Sequence, residues 1–274
     1  MKPPAPTAPV PAPLRPWVAQ VWSCARPHRP EPGAREHGLP SGAMHLAVRL
    51  DGPPLRLYAD AGDMRGRDFG PATVAGVRSG YCIKDLSRPA ASVGAVLRPG
   101  AALALFGVSA AELAGQHVDL RELWGSRAES LYQQLAACPD PQRRQALFER
   151  FLLRRLRGAR GLDPQIALAA RTLQREPAAV AAMAAGAGRS HRHFIAAFRD
   201  ATGLSPKRYA RVQRFRRLLE RLSALPDPDW AGLALDAGYA DQSHLIREFG
   251  EFAGVSPGRY VAARVRSPHH LPIG

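Results

Sequence analysis

Two clusters of amide, hydroxyl, imidazole and guanidinium side chains stand 51 residues apart in this chain. The first cluster follows Ser190 and the second follows Asp241. Glutamine can bond adenine and arginine can bond guanine through paired hydrogen bonds, and smaller polar groups can bond phosphate oxygens. These residue types therefore suit contacts to a nucleic acid duplex, provided that rigid elements hold them in place.

The elements around both clusters repeat. The sequence reads FRDATGLSPKRY over 198–209 and FGEFAGVSPGRY over 249–260. In each copy a Ser or Asp N-cap begins a helix, and Gly203 or Gly254 ends it in the left-handed conformation. A Ser-Pro pair then begins the following helix. The spacing predicts the same helical unit twice.

A shorter helix precedes each capped helix, over 177–188 and over 227–238. Each copy is then a short helix, a glycine-containing turn and a capped second helix, which is a helix-turn-helix. A duplicated hairpin in a plain helical bundle would produce the same spacing. Two units in tandem, with a basic helix over 206–222 between them, favour the helix-turn-helix.

LALDAGYADQSHLIREFGEFAGVSPGRY, residues 233–260, closely resembles the signature of AraC/XylS-type transcriptional regulators. RSHRHFIAAFRDATGLSPKRYARVQRFRRLLERL, residues 189–222, resembles the first half of the same domain. The resemblance spans about 164–264. It implies two helix-turn-helix subdomains, over about 164–205 and about 227–264, joined by a linker helix over about 206–222.

The resemblance also implies which residues contact DNA, since residues early in each recognition helix touch base edges in this family. Carried over by position, the base contacts are Gln242, Ser243, His244 and Arg247 in the second helix, and His191, Arg192, Ile195 and Ala196 in the first. The phosphate contacts are Arg189, Ser190, Lys207, Arg208 and Asp241. Because Ala196 stands where the second helix has Arg247, we expect the second helix to read more bases. We expect the first helix to contact phosphate through Arg192 and His191 and to make apolar contact with a thymine methyl group. The two helices would enter successive major grooves about 34 Å apart.

The linker helix has an apolar stripe and many arginines. The residues predicted to face inward are Tyr209, Val212, Phe215, Leu218, Leu219 and Leu222. We expect the arginines of this helix to face solvent rather than DNA.

The first half of the chain changes from a Pro- and Ala-rich segment to strand patterns and then to helical patterns. Residues 1–13 are rich in Pro and Ala and predict a disordered tail. Short apolar runs cut by Gly and Pro predict strands at 44–50, 55–59, 73–78 and 91–97. Helical patterns follow, including a capping box formed by Ser109 and Glu112 and a helix capped by Asp140. The predicted fold class is α+β: a β-rich N-terminal domain followed by helices, then an all-α domain.

The motifs LRPWVAQVW and LPSGAMHLAVRL lie in the first half of the chain. Through them, residues 14–161 resemble the uncharacterised N-terminal domain that precedes this DNA-binding domain in a subset of these regulators. The resemblance implies a sensing or dimerising domain, followed by the DNA-binding domain over 162–266 and a tail over 267–274. The candidate ligand contacts are Arg26, His28, His37, His45, Arg78, Tyr81 and Cys82. Most of them could equally be ordinary surface or core residues, and a metal reading of Cys24, His28 and His37 would need three ligands to converge.

The net charge is +15 and the pI about 11.0, which favours a polyanionic partner. The three cysteines match no zinc spacing, and no nucleophile elbow, paired carboxylate or phosphate loop occurs. We therefore expect no metal, no cofactor and no enzymatic activity. No apolar run is long enough for a membrane span and no secretory signal is evident, so we expect a cytoplasmic, nucleoid-associated protein without a membrane partner.

The expected partners are double-stranded operator DNA, RNA polymerase if the protein is an activator, a small-molecule effector at the N-terminal domain, and a second copy in a homodimer. Two other functions stay open. One is a non-specific basic nucleic-acid-binding protein, which needs the charge but no ordered pair of capped helices. The other is an enzymatic N-terminal domain fused to a DNA-binding domain.

Overall fold

The computed structural model describes residues 9–24, 32–88, 90–176, 180–188, 190–225, 227–263, 265 and 267–273. Over these ranges the chain forms ten strands and twelve α-helices. The strands are β1 Val18–Cys24, β2 Arg35–Gly38, β3 Met44–Arg49, β4 Leu55–Tyr58, β5 Arg67–Phe69, β6 Ala72–Ala75, β7 Cys82–Asp85, β8 Ser92–Leu97, β9 His117–Asp119 and β10 His270–Ile273. The helices are α1 Ala101–Phe106, α2 Ala110–Leu113, α3 Leu120–Trp124, α4 Ser126–Ala136, α5 Pro141–Arg155, α6 Pro164–Arg175, α7 Val180–Gly186, α8 His191–Thr202, α9 Pro206–Leu222, α10 Trp230–Asp236, α11 Gln242–Ala253 and α12 Pro257–Ala262. The predicted α+β class is confirmed.

The strands form two antiparallel sheets of five strands each. The first sheet has the order β1-β8-β3-β6-β9, and the second has the order β10-β2-β7-β4-β5. Strand β3 shows how the first sheet is built, because its side chains alternate between buried and half-buried. Met44, Leu46 and Val48 enter the core, while His45 and Arg49 line a cavity between the sheets.

The last strand of the second sheet comes from the other end of the chain. Strand β10 pairs antiparallel with β2, with Leu271 opposite His37. His270 Nδ1 lies 2.9 Å from Glu36 Oε1, and the Tyr260 hydroxyl donates to Pro268 O at 2.9 Å. The segment after α12 therefore returns to the N-terminal half and completes its sheet.

The helix boundaries follow the capping signals. The Ser109–Glu112 capping box is present, and the Asp140 side chain accepts the Gln142 N–H at the start of α5. Helix α9 buries the whole predicted inward face; these residues are Tyr209, Val212, Phe215, Leu218, Leu219 and Leu222. Because this helix lies between the two helix-turn-helix units, its apolar stripe is the shared core of both.

Four predictions differ from the structure. Six strands were not predicted, β1, β2, β5, β7, β9 and β10. Several carry polar or charged residues, such as REHG in β2 and CIKD in β7, and so lack an apolar alternation. The segment predicted as a C-terminal tail contains β10. Of the predicted N-terminal tail, residues 1–8 lie outside the described residues, and Ala12–Leu14 forms one turn of 3₁₀ helix.

Several arginines of α9 are the fourth difference, since we expected the arginines of this helix to face solvent, as only Arg221 plainly does among those that the structure describes. Arg208, Arg211 and Arg214 form ion pairs with glutamates of α11, and Arg217 donates to Gln174 O at 2.9 Å. A helix packed on several sides has little free surface, so its long cations reach protein acceptors instead of water.

Candidate nucleic-acid interface

Helix α8 of the first repeat presents a polar face at its N-terminus. The Ser190 side chain accepts the His193 N–H, as the N-cap prediction requires. His191, Arg192 and Ala196 are exposed and Ile195 is half-buried. The opposite face of the helix is apolar, so this end of α8 offers the Arg192 guanidinium and the His191 imidazole to a ligand, with His193 also exposed.

Helix α11 of the second repeat is capped in the same way, and its exposed face carries an amide, a hydroxyl and a guanidinium group. The Asp241 side chain accepts the His244 N–H at 2.7 Å. Gln242, Ser243 and Arg247 are exposed, and Arg247 makes no ion pair with any described residue. These three side chains are free to bind groups outside the chain.

His244 differs from its neighbours because its ring is already engaged. Its Nδ1 accepts the Ala240 N–H at 3.3 Å, and its ring lies edge-on to Tyr239 with centroids 5.3 Å apart. Its Nε2 lies 4.0 Å from a carboxylate oxygen of Glu248. His244 therefore supports the start of the helix as well as lining its outer face.

The apolar stripes predicted at i and i+4 hold both helices in place. Phe194 and Phe198 of α8 are fully buried, and so are Leu245 and Phe249 of α11. The C-cap glycines take positive φ values, 82° at Gly203 and 70° at Gly254. The capped start, the buried stripe and the glycine end were all readable from the sequence.

An ion-pair network around Glu248 anchors α11 on the linker helix, and sequence reasoning missed it. Glu248 is only 3% exposed. Both its oxygens accept hydrogen bonds from Arg214, the shortest at 2.7 Å, and Oε2 also accepts one from Arg211 at 2.7 Å. Burial lowers the pKa of Arg211, but its hydrogen bonds to Glu248 and Glu251 more than offset this and raise it. The partners lie more than 30 residues apart, so no local pattern could reveal them.

The predicted phosphate contacts lie in different surroundings. Lys207 is exposed at the start of α9, whereas Arg208 donates to Ser79 O at 3.2 Å and pairs with Glu251 at 2.8 Å. Ser190 and Asp241 act as helix caps. Arg189 lies outside the described residues.

The N-terminal half contains a cavity of about 680 Å³ between its two sheets. His45, Arg78 and Cys82 line it, as does His269 from the C-terminal segment. Burial lowers the pKa of His45 to about 4 and that of His269 to about 3, so both imidazoles are neutral near pH 7. Of the other candidate ligand residues, His37 and Tyr81 stack against each other beside α11, and Arg26 and His28 lie outside the described residues.

The described residues contain no group of three or more His, Cys, Asp and Glu side chains that could hold a metal ion. The three cysteines are half-buried and unpaired. Each described helix is too short or too polar to span a bilayer.

Two family models match the chain. A helix-turn-helix domain model matches residues 183–263, which contain both recognition helices. Residues 183–263 form an AraC-type helix-turn-helix domain. The chain is thus a DNA-binding transcription regulator. The second model, a domain of unknown function called DUF6597, matches residues 7–119, so the AraC-type domain follows a DUF6597 domain.

The regulator is also similar to solved structures of ToxT from Vibrio cholerae. One ToxT structure has 9% identity and a TM-score of 0.44, covering 90% of this chain and 99% of that one. ToxT from strain O395 has 9% identity and a TM-score of 0.43, with 88% and 95% covered. ToxT with a bound unsaturated fatty acid has 10% identity and a TM-score of 0.44, with 88% and 93% covered. A search of curated proteins finds no match.

Proposed function

We propose that this regulator binds a specific operator sequence by inserting α8 and α11 into successive major grooves, and that its N-terminal domain modulates this binding. The observation that carries the proposal is the pair of capped helices with exposed polar N-terminal faces within one AraC-type domain. Helices of this kind fit the major groove, whose base edges carry a distinct hydrogen-bonding pattern for each base pair.

The second helix does most of the base reading in this proposal. Arg247 and Gln242 are exposed, and each can bond a purine through two hydrogen bonds. Ser243 adds a hydroxyl, while His244 contributes through its half-buried ring. In the first helix, Ile195 and Ala196 occupy the positions that correspond to Ile246 and Arg247 of the second helix. Their apolar side chains suit contact with a thymine methyl group.

Phosphate contacts fix the register of both helices on the duplex. Arg192, His191 and Lys207 are exposed cations or donors close to the helix starts. Ser190 and Asp241 hold the N-terminal turns in shape, so that backbone N–H groups there can also face phosphate. For Arg208 a phosphate would have to compete with Glu251 and Ser79.

Selection of duplexes from a random pool tests the proposal. The purified full chain is expected to enrich one motif with two half-sites about 10–10.5 base pairs apart, one for each recognition helix. The selected duplex should then remain bound in the presence of a large excess of random duplex. Binding that random competitor removes completely would instead support the non-specific basic nucleic-acid-binding protein.

Three further parts of the proposal concern partners. A small-molecule effector would bind in the N-terminal domain, and it can shift DNA binding only if its affinity differs between the two states. RNA polymerase is a partner if the regulator activates transcription. We also propose a homodimer, which light scattering on the purified chain would detect as twice the monomer mass of 29.6 kDa.

A further inference from the structure

Arg78 stands out among the cations that line the cavity between the sheets. Arg88 lies 3.4 Å from Asp85, and Lys84 lies 3.7 Å from Glu36. Arg49, which also lines the cavity, donates to the backbone carbonyls of Pro53 and Arg88. Arg78 has no carboxylate partner among the described residues; its guanidinium donates to His117 Nδ1 at 2.8 Å. One end of the cavity therefore has a guanidinium that no acidic side chain neutralises.

His117 adds a second donor at this end. Because its Nδ1 accepts the hydrogen bond from Arg78, the neutral ring carries its proton on Nε2. Burial first, and then the charges of Arg78, Lys84 and His45, lower the pKa of His117 to about 3, which keeps the ring neutral. A guanidinium beside an imidazole N–H is a set of donors that suits a carboxylate, sulfonate or phosphate group.

The rest of the cavity suits an apolar body. Trp22, Leu39, Leu55 and Leu86 contribute to its wall. A volume of about 680 Å³ is large enough for a molecule of drug size. The chemistry of the wall thus points to an amphipathic organic anion rather than to a sugar or a bare inorganic ion.

Arg78 also belongs to the segment that touches both helix-turn-helix units, residues 76–81 between β6 and β7. Val77 packs against Gly203, the C-cap of α8. Ser79 O accepts a hydrogen bond from Arg208 at the start of α9. The Tyr81 ring lies so close to Gly254, the C-cap of α11, that a Cβ there would approach it to 2.5 Å.

One neighbour of this segment strengthens the contact with α11. His37 stacks on Tyr81 with ring centroids 4.1 Å apart, and its Nδ1 donates to Ala253 O at 2.8 Å. The segment also borders an open groove of about 450 Å³, with Val77 and Ser79 on one wall and Gly203 and Arg208 on the facing wall. The segment is therefore fixed to both recognition helices and still has space into which it can move.

We infer that the cavity binds an amphipathic organic anion whose charged group is held by Arg78 and His117, and that residues 76–81 transmit this binding to both recognition helices. The inference rests on the proposed regulation by the N-terminal domain. An anion that draws Arg78 from His117 moves the same backbone that seats Gly203 and Gly254. Binding and helix position are then coupled through one short segment.

The binding site is tested with two fluorescent probes that share an aromatic body. These are 8-anilinonaphthalene-1-sulfonate, which carries a sulfonate, and N-phenyl-1-naphthylamine, which does not. In the full chain, Arg78→Leu is expected to weaken the sulfonate about tenfold, as for loss of a charge-assisted hydrogen bond, and the uncharged probe less than about twofold. Arg121→Leu, which removes an exposed arginine of α3, is the matched control and should change neither.

The uncharged probe also reports whether the cavity is intact in Arg78→Leu. Equal affinity of the sulfonate for the parent chain and Arg78→Leu would overturn the assignment of the anion site. An equal loss for both probes would overturn it as well, because the effect would then concern the apolar wall rather than charge.

Transmission is tested by hydrogen exchange of the full chain with and without the sulfonate probe. We expect altered exchange over 76–81 and at the C-terminal ends of α8 and α11. Tyr81→Ala should bind the probe with unchanged affinity, since Tyr81 does not line the cavity, and should lose the change at α11 while keeping the change at α8. Changes confined to the cavity strands would contradict transmission.

Neither measurement contains DNA, so the result stands apart from the operator selection. Failure of the selection with a positive probe result would leave the anion site and its transmission in place and remove the proposed DNA specificity. Failure of both probe measurements with a selected operator would remove this inference alone.

Discussion

Single side chains on α9 and α11 differ in whether they are free to bind groups outside the protein. Arg247 is exposed on α11 and makes no ion pair with the described residues, unlike Arg208, Arg211 and Arg214 nearby. A cation without a partner loses nothing within the protein when it binds DNA. The difference between these arginines comes from tertiary contacts, because all four look alike in the sequence.

Arg247→Ala should therefore weaken binding to the selected operator by about 1–3 kcal/mol and relax the preference at one base pair. Fluorescence anisotropy with the operator and with single-base variants measures both effects. Arg192→Ala is the comparison, since a lost phosphate contact weakens all sequences alike and flattens the salt dependence. Unchanged operator affinity in Arg247→Ala would show that another residue reads that base.

Glu248 is the residue on which the position of α11 depends. Glu248→Ala leaves Arg211 and Arg214 without their shared acceptor, and should lower the free energy of unfolding by about 3 kcal/mol, the low end for a buried pair. The low end applies because these arginines remain 28% and 17% exposed. Urea denaturation measures the loss.

Glu251→Ala provides the matched control for that prediction. Glu251 also pairs with Arg211 but is 40% exposed, so its removal should cost less than about 1 kcal/mol. Similar losses in the two variants would mean that burial does not set the strength of this network.

At the scale of elements, the C-cap glycines join the recognition helices to the N-terminal half. Gly203 has a φ of 82°, and a Cβ there would overlap Val77 and lie 2.8 Å from Ala110 O. Gly107 ends α1 with a similar φ of 77° but has no atom within 4 Å of such a Cβ. Substitution of Gly107 therefore tests backbone strain alone, whereas substitution of Gly203 tests strain together with the close approach of α8 to the N-terminal half.

Gly107→Ala should cost about 1–2 kcal/mol, which is the strain of a left-handed residue with a Cβ. Gly203→Ala should cost more, because the Ala110 carbonyl is backbone and cannot easily move away. Thermal unfolding of both variants measures the difference. Equal costs would show that α8 can shift away from the N-terminal half without loss of stability.

Most helix boundaries could be predicted, whereas six of the ten described strands could not. Caps such as Ser205 and glycines such as Gly254 act through bonds within a few residues, so the sequence contains the whole signal. Strands β2 and β10 are stabilised by each other across the chain, and neither HLPI nor REHG has an apolar period of its own. Such strands form only when a partner strand from a distant part of the chain supplies their hydrogen bonds.

At the scale of the whole molecule, β10 ties the end of the DNA-binding domain to the second sheet of the N-terminal half, and Glu36 takes part in this contact. Burial raises the pKa of Glu36, but the hydrogen bond from His270 and the charge of Lys84 outweigh it and lower this pKa from 4.5 to about 2. A carboxyl whose pKa falls on folding contributes stability above pH 4.5, and this is lost as the pH falls toward 2.

Glu36→Gln should remove this dependence. Between pH 6 and pH 3 the parent chain should lose about 2 kcal/mol more than the variant in its free energy of unfolding, by proton linkage. Urea denaturation at both pH values gives the comparison, which cancels the contributions of other carboxyls. Parallel losses in the two proteins would show that Glu36 does not titrate between folded and unfolded states.

The sequence alone determined the two capped helices, the glycines that end them, the linker helix with its apolar stripe, and the family of the DNA-binding domain. These properties depend on hydrogen bonds and apolar contacts within a repeat, which residue spacing records. Only the tertiary structure decided which arginines remain free, where the cavity lies, that residues 76–81 touch both repeats, and that the chain end completes a sheet. Those features join residues far apart in the chain, and their contacts form only after the two halves pack together.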